Sequence, residues 1–82
     1  MSALKLAQSL IQIKSVSPYD EGCFDLIETA LVPIGFEIER VPELNCETLL
    51  AKFGDSGKVF CFLGHTDIVP SGPEEEWISP PF

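Results

Sequence analysis

The chain has little positive charge, few residues with imidazole chemistry and no long apolar run. Five Lys and Arg stand against thirteen Asp and Glu, for a net charge of −8. Such a balance repels phosphate backbones, and no basic stripe offsets it, which argues against nucleic acid and anionic membranes as partners. The longest strongly apolar run, Val59 to Leu63, is far short of the ~20 residues that span a bilayer. Leu4 to Ile13 is interrupted by Lys5, Gln8, Ser9 and Gln12, so signal-peptide grammar is missing too. Three cysteines, Cys23, Cys46 and Cys61, form no close pair. The expectation is a cytoplasmic protein with buried thiols and no disulfide frame.

What is present is the composition of a folded chain. Of 82 residues, 45% are apolar and 22% charged, with mean hydropathy +0.21, outside the low-hydrophobicity, high-charge regime of disorder. A domain of this size buries only about 60% of its unfolded surface, so any core is thin.

Leu6, Leu10 and Ile13 recur at i, i+4 and i+7, predicting a first helix over residues 3–14 with Ser2 as its N-cap. It should stop before Ser17-Pro18, because a residue preceding proline avoids helical torsions. A second helix is expected from near Asp20, with Cys23, Leu26, Ile27, Ala30, Leu31 and Ile34 on its buried face. Pro33 should end or kink it, and Gly35 is the natural residue to follow its last turn. The period then changes to two. Phe36, Ile38 and Val41 suggest a strand whose wet face carries Glu37, Glu39 and Arg40. Thr48 to Phe53 and Lys58 to Leu63 flank Gly54-Asp55-Ser56-Gly57, which predicts a hairpin there. The second of these runs is apolar on both faces, as in a central strand covered on both sides. The expected class is α/β: two helices, then about three strands.

After Pro70 regular structure should fade through Ser71-Gly72-Pro73 and a solvated Glu74-Glu75-Glu76 run. The exposed Trp77-Ile78 and the closing Pro80-Pro81-Phe82 read as a domain cut short.

The chemistry-bearing segment is Gly64-His65-Thr66-Asp67. His65 is the only histidine and lies at the C-terminal end of the last predicted strand, where α/β sheets collect ligands. In extended chain, His65 and Asp67 point to the same side. The carboxylate can then hold one imidazole nitrogen and leave the other for a metal. Gly64 would permit close backbone approach or unusual torsions. The plainer alternative is a structural histidine beside a turn-forming Asp67, and one histidine with one aspartate does not complete a zinc site. Cys61, four residues before His65, with Cys23 and Cys46, lacks a C-x-x-C knuckle and suits packing better. Ser15, Ser17 and Ser56 lack a G-x-S-x-G setting, and Gly54 to Gly57 lacks the Lys-Ser/Thr ending of a phosphate loop.

Gly64-His65-Thr66-Asp67-Ile68-Val69-Pro70, followed by Trp77-Ile78-Ser79-Pro80-Pro81-Phe82, resembles the first metal-ligand motif of the zinc-dependent aminoacylase and metallopeptidase superfamily. Ser15-Val16-Ser17-Pro18-Tyr19-Asp20-Glu21-Gly22-Cys23 and Ile34 to Arg40 are similar to segments of its succinyl-diaminopimelate desuccinylase family. The resemblance implies the N-terminal part of an α/β/α catalytic domain, acting on N-succinyl-LL-2,6-diaminopimelate in lysine biosynthesis. It implies two zinc ions in the complete enzyme, with cobalt an alternative, and a homodimer. Carried over by position, His65 is a metal ligand and Asp67 the active-site aspartate that orients it. The family's metal-bridging aspartate, catalytic glutamate, other ligands and dimerisation domain fall after Phe82, so residues 1–82 alone are expected to be inactive. A sister enzyme, such as an acetylornithine deacetylase or a dipeptidase, and a non-catalytic binding module remain as alternatives.

Overall fold

The computed structural model describes residues 2–82. Helix α1 spans Ala3–Ile11, and Ser2 caps it by accepting the Lys5 amide at 3.1 Å. Its half-buried positions include Leu6 and Leu10, and Ile13 beyond its end continues the same face. The helix stops three residues short of the predicted boundary. Ile13 bonds back to Leu10 and Ser15 to Ile13 in tight turns, after which the chain is drawn into an extended pairing described below.

Helix α2 spans Cys23–Leu31 and packs on α1. It begins after Gly22, at φ 96°, a left-handed conformation that glycine adopts without a steric penalty. The capping side chain is Asp20, whose carboxylate accepts the amides of Phe24 at 3.1 Å and Gly22 at 3.2 Å. That carboxylate also meets the positive end of the helix dipole. As Pro33 suggests, the α-helix ends at Leu31, and the chain continues as a single 3-10 turn, Val32–Ile34, closed by Gly35 at φ 103°.

Strands β1 (Glu37–Glu43) and β2 (Cys46–Lys52) form an antiparallel hairpin, with Glu37 opposite Lys52 and Glu43 opposite Cys46. The hairpin therefore turns at Leu44-Asn45, not at Gly54 to Gly57. Leu44 takes φ 54°, and its side chain is fully exposed. Phe36, Ile38 and Arg40 share the half-buried face of β1, while Val41 lies on the other. This corrects the expected inward set: a strict period of two from Phe36 selects Arg40, not Val41. Arg40 is suited to that place because its stem covers apolar surface while its head reaches carboxylates. It bonds Asp25 at 2.7 Å, lies 3.5 Å from Glu28 and 3.7 Å from Glu47, and packs its guanidinium 5.9 Å from the Phe24 ring centroid. The Asp25 hydrogen bond first, then these negative charges, hold the guanidinium above its usual titration range against partial desolvation.

Residues 58–63 form no strand. A buried central strand needs a ladder partner and a layer on each face, and neither is present among the described residues. Val59, Phe60, Phe62 and Leu63 are all at least 81% exposed. Phe60 and Phe62 lie against each other, with centroids 4.9 Å apart. Among the described residues only Cys23 and Ser15 are fully buried. Cys46 and Cys61 are exposed, so the expectation of buried thiols holds for one cysteine of three. The radius of gyration is 14.9 Å, against about 12 Å for a compact domain of this length. Mixed α/β structure with a thin core is what a part of a larger layered domain presents.

Candidate functional site

Two stretches far apart in sequence build the site. Residues 15–17 run parallel to Ile68, forming a single bridge between Val16 and Ile68. The Ile68 amide donates to the Ser15 carbonyl at 3.0 Å, and the Ser17 amide donates to the Ile68 carbonyl at 3.0 Å. The Ser15 hydroxyl adds a third bond, to the Thr66 carbonyl at 2.8 Å. Residues 66 and 68 are thus tied to the loop that follows α1, and Asp67 sits between them.

His65 and Asp67 come together as their spacing suggests. The ring nitrogen Nδ1 lies 3.0 Å from Asp67 Oδ1 and 3.0 Å from the Asp67 main-chain oxygen. Both contacts involve acceptors, so Nδ1 carries a proton, and in the neutral ring Nε2 then bears the lone pair. The His65 side chain is 80% exposed and that of Asp67 48% exposed. His65 therefore does not end a buried strand. Gly64 shows neither special feature expected of it: its φ is not left-handed, and a built Cβ would meet nothing within 4 Å.

Among the described residues no three His, Cys, Asp or Glu side chains cluster closely enough to hold a metal ion. Cys61 and His65 form no joint site, and the Cys61 thiol instead contacts the Phe62 carbonyl. Glu74–Glu76 make an exposed 3-10 turn. Trp77 Nε1 donates to the Ser71 carbonyl at 3.1 Å, beside an open depression of about 450 Å³ lined by Ser71, Pro73, Glu76, Trp77, Ile78 and Ser79. Neither His65 nor Asp67 lines that hollow.

Ser15 was missed as a site residue. Read from the sequence it is only a serine without a nucleophile motif, yet in the fold it is 1% exposed and bonds a carbonyl 51 positions away. No local signal points to that partner, since a hydroxyl just after a helix end ordinarily bonds its own neighbourhood.

No family model matches the chain. Curated proteins do. It is 53% identical over 79 residues to succinyl-diaminopimelate desuccinylase of Hydrogenovibrio crunogenus, covering 96% of this chain and 21% of that protein. The protein of the same name from Alkalilimnicola ehrlichii is 49% identical over 79 residues, with the same two shares, 96% and 21%. That from Aromatoleum aromaticum is 51% identical over 77 residues, covering 94% of this chain and 20% of the relative. The chain thus spans about a fifth of the length of the curated relatives it matches. Over nearly all of its own length, the chain is similar to a part of these succinyl-diaminopimelate desuccinylases.

Proposed function

We propose that this chain is the opening part of the catalytic domain of a metal-dependent amide hydrolase. The proposed reaction adds water to the amide carbonyl of N-succinyl-LL-2,6-diaminopimelate and breaks the C–N bond, releasing succinate and LL-2,6-diaminopimelate. One observation carries the proposal: a chain about half identical to desuccinylases holds its single histidine against an aspartate, a carboxylate–imidazole contact of the kind that commonly backs a metal-bound histidine.

The residues fit one ligand position of a zinc centre. Asp67 occupies Nδ1 of His65, which orients the ring and leaves Nε2, on an exposed side chain, as the donor atom. Zinc takes three or four protein ligands, so the proposed centre draws the others, a catalytic glutamate and a dimerisation domain from sequence outside these residues. When bound, zinc or cobalt would supply Lewis acidity toward the amide carbonyl and a water nucleophile at neutral pH. This chain's own contribution is to hold the ring: Asp67 accepts its proton at Nδ1, and the Ser15–Ser17 loop fixes the backbone around Asp67. The substrate is anionic, and five cations among 82 residues leave its carboxylates to be held elsewhere.

The test is the full-length protein carrying this chain, read first from the DNA beyond Phe82. Assayed on N-succinyl-LL-2,6-diaminopimelate and on N-acetylornithine, it should prefer the succinyl substrate, lose activity to a chelator and regain it with zinc. His65→Ala should remove most of that activity. A stop codon directly after Phe82, or chelator-resistant turnover, would refute the proposal.

A further inference from the structure

We propose that Ser15 is a positioning residue for the His65–Asp67 pair, an assignment that rests on the metal-ligand reading above. Ser15 is the one buried polar residue among those described, at 1% exposure. A serine hydroxyl after a helix ordinarily bonds its own neighbourhood. This one reaches across 51 positions to the Thr66 carbonyl at 2.8 Å. Its main-chain oxygen takes the Ile68 amide, and two residues on Ser17 returns a bond to the Ile68 carbonyl. The peptide groups on both sides of Asp67 are therefore fixed from the same short loop. Fixing them sets the direction of the Asp67 side chain and the place of its main-chain oxygen, and those are the two acceptors that meet His65 Nδ1.

Alone among the three bonds, that of the hydroxyl depends on side-chain identity. Without it, a half-buried carbonyl loses its partner next to the aspartate. The two main-chain bonds remain, so the expected consequence is a looser aspartate, not an unfolded loop. Ser15 touches neither substrate nor the reacting atoms in this assignment, and it acts through the ring of His65.

Threonine and valine have the same shape, and only threonine keeps the hydroxyl. Ser15→Thr and Ser15→Val are therefore compared in the full-length protein, once with His65 present and once with His65→Ala. Zinc affinity is read by chelator competition on the metal-free protein, and amide hydrogen exchange is followed over residues 64–70. With His65 present, the valine variant should bind zinc about 3- to 10-fold more weakly than the threonine variant, below the 10- to 100-fold typical of the residue that touches the ligand itself. Exchange over residues 64–70 should be faster in the valine variant before metal is added. With His65→Ala the zinc difference should vanish. Equal affinities with His65 present, or a gap that persists without His65, would overturn the assignment, the latter showing that Ser15 serves general stability alone. If His65→Ala by itself leaves zinc affinity unchanged, the metal-ligand reading fails, and with it the role of Ser15. Should the added methyl group prevent folding, Ser15→Ala is compared with the wild type in the same two backgrounds under the same criteria.

Discussion

Two acceptors of Asp67, its carboxylate Oδ1 and its main-chain oxygen, lie 3.0 Å from the same nitrogen of His65. The main-chain oxygen alone suffices to keep the proton on Nδ1, so the carboxylate adds charge more than it adds tautomer control. Asp67→Asn in the full-length protein should therefore retain the Nδ1–H tautomer, visible in imidazole 15N shifts. Its zinc affinity or activity should fall about 10-fold, at the low end of the range for such partners. A switch of tautomer in that variant would show that the carboxylate does both.

Gly35→Ala should destabilise the chain. The residue sits at φ 103°, and a Cβ would come within 3.0 Å of the Phe53 ring. The left-handed torsion alone costs about 1–2 kcal/mol for a residue with a side chain, and displacing Phe53 disturbs its contact with Phe36, at 5.3 Å between centroids. Urea unfolding of the variant and wild type, read side by side, checks this; equal midpoints would contradict it.

The left-handed Leu44 predicts the opposite sign. It carries φ 54° and a fully exposed side chain in the hairpin turn, so the side chain contributes no burial to offset the strain. Leu44→Gly should stabilise the hairpin by about 0.5–1 kcal/mol net, because relief of strain exceeds the added unfolded-state entropy of glycine. A lower midpoint in thermal unfolding would show that the leucine is favoured by something else.

Asp20→Ala removes the acceptor for two amides at the start of α2. A lost N-terminal cap costs about 0.5–2 kcal/mol. Asp20→Asn keeps the acceptor oxygen and should recover much of the loss, leaving only the share due to charge at the helix dipole. Circular dichroism melts of the three proteins separate these contributions.

Produced alone, the 82 residues should bind a hydrophobic dye, self-associate, and show no desuccinylase turnover with added zinc. Phe60, Phe62, Leu63 and Ile78 are at least 81% exposed, and contiguous apolar surface of this kind is sparse on stable monomers. Phe60→Ser with Phe62→Ser should lower dye binding. A monomer at high concentration that binds no dye, or turnover above background, would contradict the expectation.

The helices were legible because their signals are local. Leu6, Leu10 and Ile13 mark one face, Ser2 caps α1, and Gly35 closes the turn after α2. The hairpin was misplaced because Gly54-Asp55-Ser56-Gly57 carries turn chemistry in its residue types, whereas Leu44-Asn45 turns by holding a leucine in a conformation that composition does not announce. The run from Val59 to Leu63 reads as a buried strand, since its pattern records an environment that these residues by themselves do not supply. Arg40 was assigned to water by its charge, although the period placed it with Phe36 and Ile38. Of the site, the His65–Asp67 pairing follows from spacing two apart in extended chain. The bonds from Ser15 and Ser17 do not, because nothing local reports a partner some fifty residues downstream.

The parallel bridge between Val16 and Ile68 also bears on the order of assembly. Its two halves are separated by the whole of α2 and the hairpin, so the bonds that steady the aspartate form only when that loop closes. Closing so long a loop is entropically costly and is repaid only when distant contacts form together. Helices and hairpin should then protect their amides early, with Ile68 following last, and chemistry at the imidazole would report on a chain that has already completed its own closure.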